Sequence, residues 1–345
     1  MNLPPEQNKE KRGPTRRELL AAAGVSAIGL GVTGMAAWKK RGEGGWRSDV
    51  FIGAAAGYDA DLTAVIQSGF DEIGVTRAQV RGKRILLKPN LVETAAGHAH
   101  INTHPAVVVA AAEAFRRLDA AEIIVAEGQG HRRDSLLVLE ESGTRPALRA
   151  AGLRFVDLNH DEVAAVANRG GWTKLPRLFL PRTLLEADLV VSLPKLKTHH
   201  WAGVTCAMKN LFGVMPGIVY GWPKNVLHWH GIHESILDIN ASVRPALTIV
   251  DAIVAMEGDG PIMGTPRPVG CLVIGRNLAA TDATCARLMQ LRPEAIPYLR
   301  QASGRLGPIL AGNVHQRGEN IARFAGEFKL IDADHLRGLR DQSIY

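Results

Sequence analysis

The sequence predicts an α/β protein built on a mostly parallel, open sheet with helices on both faces, preceded by an N-terminal signal segment. Three observations carry this expectation. Short runs rich in Val, Ile and Leu alternate with longer stretches of helical period, the pattern of strands joined by crossover helices. Several of those runs end in polar clusters, as at the carboxyl edge of a parallel sheet, where ligands bind. Beyond the first 47 residues about 300 remain, enough for a substantial core.

In chain order, an apolar run of strand length at 50–55 precedes a helix over 61–74. The run Ile85-Leu86-Leu87 gives a strand at 84–88, followed by a helix over 105–118. A strand at 121–126 leads through Gly128-Gln129-Gly130 to a helix over 134–151 that starts at Asp134. Strands at 153–158 and 188–193 come next. Thr198 is then placed to cap a helix over 199–212. A helix over 231–243, strands at 247–252 and 270–275, a helix over 278–290 and a strand near 328–332 complete the set. Residues 216–223 and 258–268, rich in Gly and Pro, read as long structured loops of the kind that carry function.

Residues 1–47 form a separate segment from the domain at 48–345. Thr15-Arg16-Arg17-Glu18-Leu19-Leu20, an uncharged run over 19–38 and Lys39-Lys40-Arg41 read as a twin-arginine export signal. The run is long enough for membrane anchoring, although Gly24, Gly29, Gly31 and Gly34 weaken it. The expected location is periplasmic or otherwise exported, with the twin-arginine translocation machinery as a partner. The leader holds nine Lys and Arg against four Glu, five of the seven net positive charges, so the remainder has no nucleic-acid footprint. Cys206, Cys271 and Cys285 stand apart without a C-x-x-C pair, so no iron–sulfur cluster is expected; a Cys271–Cys285 disulfide is left open.

If the strands are parallel, their polar ends share one rim. Lys88 and Asn90, Lys195, Lys197 and Thr198, and the turn glycines Gly128 and Gly130 are candidate anion-binding residues, because ammonium groups and free N–H groups both attract phosphate or carboxylate. Lys209, His199, Asp251 and Glu257 are candidate catalytic residues: a lysine kept in an apolar run, a proton carrier, and two acids placed to act as base or ligand. Nine of the twelve histidines form four groups: His98, His100 and His104; His131; His199 and His200; His228, His230 and His233. A helix through His230, Glu234 and Asp238 would align the three. His199, His230 and Glu234 are therefore candidate metal ligands, although the spacing differs from H-E-x-x-H. The full dinucleotide fingerprint is absent, with Arg133 at its last position, and no G-x-S-x-G elbow occurs.

Lys88-Pro89-Asn90, the run Pro194-Lys195-Leu196-Lys197-Thr198-His199 continuing to Met208-Lys209-Asn210-Leu211-Phe212-Gly213, and Val250-Asp251 through Glu257-Gly258-Asp259-Gly260-Pro261 together resemble the domain-of-unknown-function 362 family over about residues 50 to 290. The resemblance implies no settled chemistry. Some members of that family append a ferredoxin-like domain, which this chain lacks. In style the site is also similar to that of nickel-dependent lactate racemases, an analogy only.

The expectation is an exported enzyme that holds a small anionic substrate or cofactor at a Lys/His/acid rim, with the cofactor unknown and a divalent metal left open. A non-catalytic cofactor-binding or assembly protein is the alternative.

Overall fold

The computed structural model describes Glu43 and residues 45–94, 96–130 and 134–340; the leader and His131 lie outside the described residues. Among the described residues twelve strands follow in chain order: β1 (Ser48–Ala54), β2 (Arg84–Pro89), β3 (Glu122–Glu127), β4 (Arg154–Asp157), β5 (Val163–Ala167), β6 (Arg177–Pro181), β7 (Leu189–Leu193), β8 (Lys195–His199), β9 (Gly203–Thr205), β10 (Leu247–Glu257), β11 (Thr265–Gly275) and β12 (Val314–Gly318). The main sheet runs β12-β1-β11-β10-β7-β2-β3-β4, with β8 and β9 attached to β10. Along that path every pairing is parallel except those of β11, which is antiparallel to both β1 and β10. Strands β5 and β6 form a separate antiparallel hairpin.

The two-residue period of a strand sends alternate side chains to opposite faces. Ile85 and Leu87 join a core with Ile66 and Phe70 of helix Leu62–Glu72 and Val108 and Phe115 of helix Pro105–Arg116. Phe70 and Phe115 meet there at 5.0 Å between ring centroids. Burying each such side chain stabilises by roughly 1.5–3 kcal/mol. Helices Ile232–Val243 and Leu278–Leu288 form a second buried layer, the latter packing on β1, β10 and β11.

The seven strands expected between 50 and 275 all form, and β10 and β11 extend into the region read as loop. Near 328–332 the described residues form no strand but a bridge between Gly258 and Leu330. The helix expected over 134–151 divides into Ser135–Glu141 and Thr144–Ala150, because Gly143 at φ +75° turns the chain left-handed. The largest departure lies at 199–212. Thr198 caps no helix: β8 and β9 form a hairpin, and only Ala207–Asn210 and a 3-10 turn at Leu211–Val214 are helical. Pairing of β8 with β10 outweighs the local helical pattern. All three cysteines are buried and free, so no disulfide forms.

Candidate functional site

Parallel pairing of β2, β3, β7 and β10 brings their carboxyl ends to one rim, as the polar strand ends require. A cleft of about 840 Å³ opens there. Lys88, Asn90, Gly130, His199 and Lys209 line it, joined by Glu127, Thr205, Asn210 and Lys224.

The floor is a hydrogen-bonded knot. Lys88 Nζ donates to Glu127 Oε2 at 2.6 Å, to Asn210 Oδ1 at 2.9 Å and to Pro89 O at 2.8 Å. Asn210 returns a bond from Nδ2 to Lys88 O at 3.0 Å, and Glu127 Oε1 accepts from Gly128 N at 2.9 Å. Burial lowers the affinity of Lys88 for its proton more than Glu127 raises it. Gly128 N also donates to Gly213 O at 2.8 Å. That N–H therefore serves the knot and is not free for an anion.

Lys224 is a second buried amine. Its Nζ donates to Gly128 O at 2.6 Å, Asn159 Oδ1 at 3.1 Å and Met215 O, pinning three loops. Burial pulls its pKa down to about 7. The residue directly follows the Gly/Pro loop 216–223 at φ +68°; it is not among the candidates the sequence singles out, and its charge beside an apolar stretch is the available signal.

Lys209 differs from both. Its half-buried side chain makes no hydrogen bond or ion pair with the described residues, and its Nζ lies 5.2 Å from the Phe212 ring centroid. Burial, with Lys88 second, lowers it to about 8. Asn90 Oδ1 and Thr205 Oγ1 are buried in the same cleft without partners among the described residues.

Lys195, Lys197, Asp251 and Glu257 are brought to this rim but do not line the cleft. Lys195 Nζ donates to Asp251 Oδ2 at 2.5 Å and to Tyr58 OH at 2.9 Å. Asp251 also accepts from Tyr58 OH at 3.1 Å and from the N–H groups of His104 and Ile253. A carboxylate so fully occupied is a brace. Lys197 Nζ donates to Pro261 O at 3.1 Å and has no carboxylate partner; burial, then the charges of Lys195 and Lys209, push it well below its ordinary value. Thr198 Oγ1 donates to Gly258 O at 2.8 Å. Glu257 accepts from Lys329 N at 3.1 Å and faces Arg267, fastening the C-terminal segment.

His199 is held by its backbone. Nδ1 accepts from Trp201 N at 3.0 Å and Ala202 N at 3.2 Å, so the neutral ring carries its proton on Nε2. Burial, then Lys209, keeps the ring neutral well below the usual imidazole pKa. Metal ligation through Nε2 would need the other tautomer, with an Nδ1–H directed at two N–H donors. In this arrangement His199 presents Nε2–H as a hydrogen-bond donor, where the sequence suggested a metal ligand or proton carrier.

His230 and Glu234 do not share a helix. Gly231, at φ +97°, separates Asn225–Trp229 from Ile232–Val243, and neither residue lines the cleft. Asp238 accepts from Trp172 N at 2.8 Å and Asn168 Nδ2 at 2.6 Å, holding a loop. Among the described residues no group of three or more His, Cys, Asp or Glu is arranged to hold a metal ion.

Residues 85–287 match the family model described as domain of unknown function (DUF362). A thylakoid-associated protein of Synechocystis, sll1697, is 32% identical over 235 residues, covering 66% of this chain and 68% of that one. Among solved structures, the lactate racemase apoprotein of Thermoanaerobacterium thermosaccharolyticum superposes with a TM-score of 0.45 at 14% identity, covering 71% of this chain and 57% of that one. A Thermotoga maritima protein does so with a TM-score of 0.34 at 12% identity, covering 65% and 58%.

Proposed function

The chain belongs to the domain-of-unknown-function family DUF362, and from that premise we propose an exported enzyme that binds a small organic anion in the cleft at the carboxyl ends of the strands. One observation carries this reading. Lys209 is an amine in the cleft with no carboxylate or hydrogen-bond partner among the described residues, and Lys88 adds to its positive field. A half-buried charge without a partner is incompletely solvated, and an anion removes that cost.

The ligand's carboxylate or phosphate meets Lys209, the Nε2–H of His199 and the hydroxyl of Thr205. Its apolar part lies against Leu91, Val92, Phe212 and Ile262, which line the same cleft. With a pKa of about 8, Lys209 can gain or lose a proton near neutral pH, as a general acid or base must. A cofactor carrier would use the same charges without turnover.

Calorimetric titration of the purified protein with simple carboxylates and phosphate esters tests the reading. Micromolar to millimolar binding that Lys209→Met weakens tenfold or more is the expected result. Binding unaffected by that change would sink the assignment, and turnover of the bound compound separates enzyme from carrier.

Export rests on the Arg16-Arg17 leader. The thylakoid association for which the Synechocystis relative is named is compatible with work at a membrane. Replacing Arg16 and Arg17 by Lys is expected to hold the protein in the cytoplasm of its host; continued export in cell fractions would count against the twin-arginine route.

A further inference from the structure

At the opposite rim, beneath the amino ends of β1 and β10, a second pocket of about 480 Å³ is lined by Arg169, Arg244, Arg276 and Arg305 together with Trp46 and Trp172. Among the described residues no Asp or Glu lines it. Arg169 and Arg244 are exposed, and their side chains make no hydrogen bond or ion pair with the described residues. Arg305 is stacked on the indole of Trp172, its guanidinium carbon 3.8 Å from the ring centroid. That stacking fixes the fork, whose Nη2 also donates to Gly170 O at 3.5 Å, and leaves its other N–H groups to donate. Arg276 is held by Gly74 O at 2.9 Å and Gln79 Oε1 at 3.2 Å. Leu278 and Ala279, in the first turn of the helix Leu278–Leu288, form part of the wall, and their N–H groups have no partners within the helix.

We propose that this pocket docks the protein on an anionic phospholipid surface, the arginines receiving phosphate headgroups. Guanidinium groups in this number without a carboxylate select a phosphoryl oxygen. Two observations favour a lipid over a soluble phosphate. Trp46 and Trp172 supply indoles, the side chains that settle at headgroup depth. Trp46 also stands a short stretch of chain after Lys39-Lys40-Arg41 and the apolar run 19–38. That run, weakened by four glycines, is a marginal anchor, and stable membrane attachment takes a second signal such as a basic patch. This last point rests on the run being retained; the arginine pocket does not.

Flotation of the full-length protein with vesicles of phosphatidylcholine alone, or mixed with phosphatidylglycerol, tests the proposal. The Arg169→Gln/Arg244→Gln double variant is expected to melt normally and to lose preference for the mixed vesicles by roughly fivefold per arginine. Lys209→Met is expected to leave that preference unchanged, so failure here is distinct from failure of the cleft assignment. Wild-type preference in the double variant would overturn the proposal. So would an equal loss in Arg149→Gln/Arg154→Gln, which removes the same charge near β4, the edge strand at the other end of the sheet. Abolition of vesicle binding by millimolar inorganic phosphate would overturn the lipid assignment in favour of a soluble anion.

Discussion

Lys88 and Glu127 form an ion pair of 2.6 Å across the adjacent parallel strands β2 and β3, with both side chains sealed from solvent. Removing one member leaves the other as an uncompensated buried charge. Lys88→Met or Glu127→Leu is therefore expected to cost about 3–5 kcal/mol. The double variant should cost less than the two single losses combined. Urea unfolding midpoints check both.

Gly213 permits this pair. A Cβ at that position would strike Glu127 Oε1 and come within 2.5 Å of Lys88 Nζ. Gly213→Ala is expected to destabilise by about 1–3 kcal/mol through overpacking and to weaken anion binding in the cleft. Unaltered unfolding and binding would mean that the knot has room to shift.

Two amines, Lys224 buried and Lys209 half-buried, make stability depend on pH. Lys209, near 8, and Lys224, near 7, are depressed from an ordinary value of 10.5. Above those values the unfolded chain keeps protons that the folded chain has lost. Stability from this source therefore rises with pH from about 7 to 10.5 and is absent below. Lys209→Met is expected to flatten the upper part of the rise in a series of melting temperatures. Bound anion acts oppositely: it favours the charged amine, so affinity should fall as pH rises above about 8, with proton uptake on binding detectable by calorimetry in buffers of different ionisation enthalpy.

For His199, nitrogen-15 NMR should report a bare Nδ1 and a protonated Nε2 at pH 6.5 and below. Its folded pKa is depressed, so the associated stability is complete above the unfolded value of 6.5 and declines as pH falls below it. A protonated Nδ1 at neutral pH would contradict the donor assignment.

His230→Ala and Glu234→Ala are expected to leave anion affinity unchanged, because neither side chain lines the cleft. A tenfold loss in either variant would return them to the site.

Much of the scaffold was legible in sequence because burial leaves a local trace. Runs such as Ile85-Leu86-Leu87 mark strands covered on both faces, and residues that follow such runs must lie at a sheet edge. Lys88, Asn90, Gly130 and His199 were identified in that way and Lys209 as a lysine kept in an apolar run, and the cleft contains all five. The hairpin of β8 and β9 was not legible, because its stability comes from β10, some fifty residues further on.

The chain by itself determined the parallel sheet, the rim at its carboxyl edge and the excess of lysine there, since each follows from apolar period and residue type. Only the tertiary structure decided what each polar group does. Lys195 and Asp251 neutralise one another, Lys224 is used up on three oxygens, His199 is locked as a donor, and Lys209 keeps its charge for the cleft. Sequence specifies that a charge exists; its partner is chosen across distances of tens to more than a hundred residues, where no local pattern reaches.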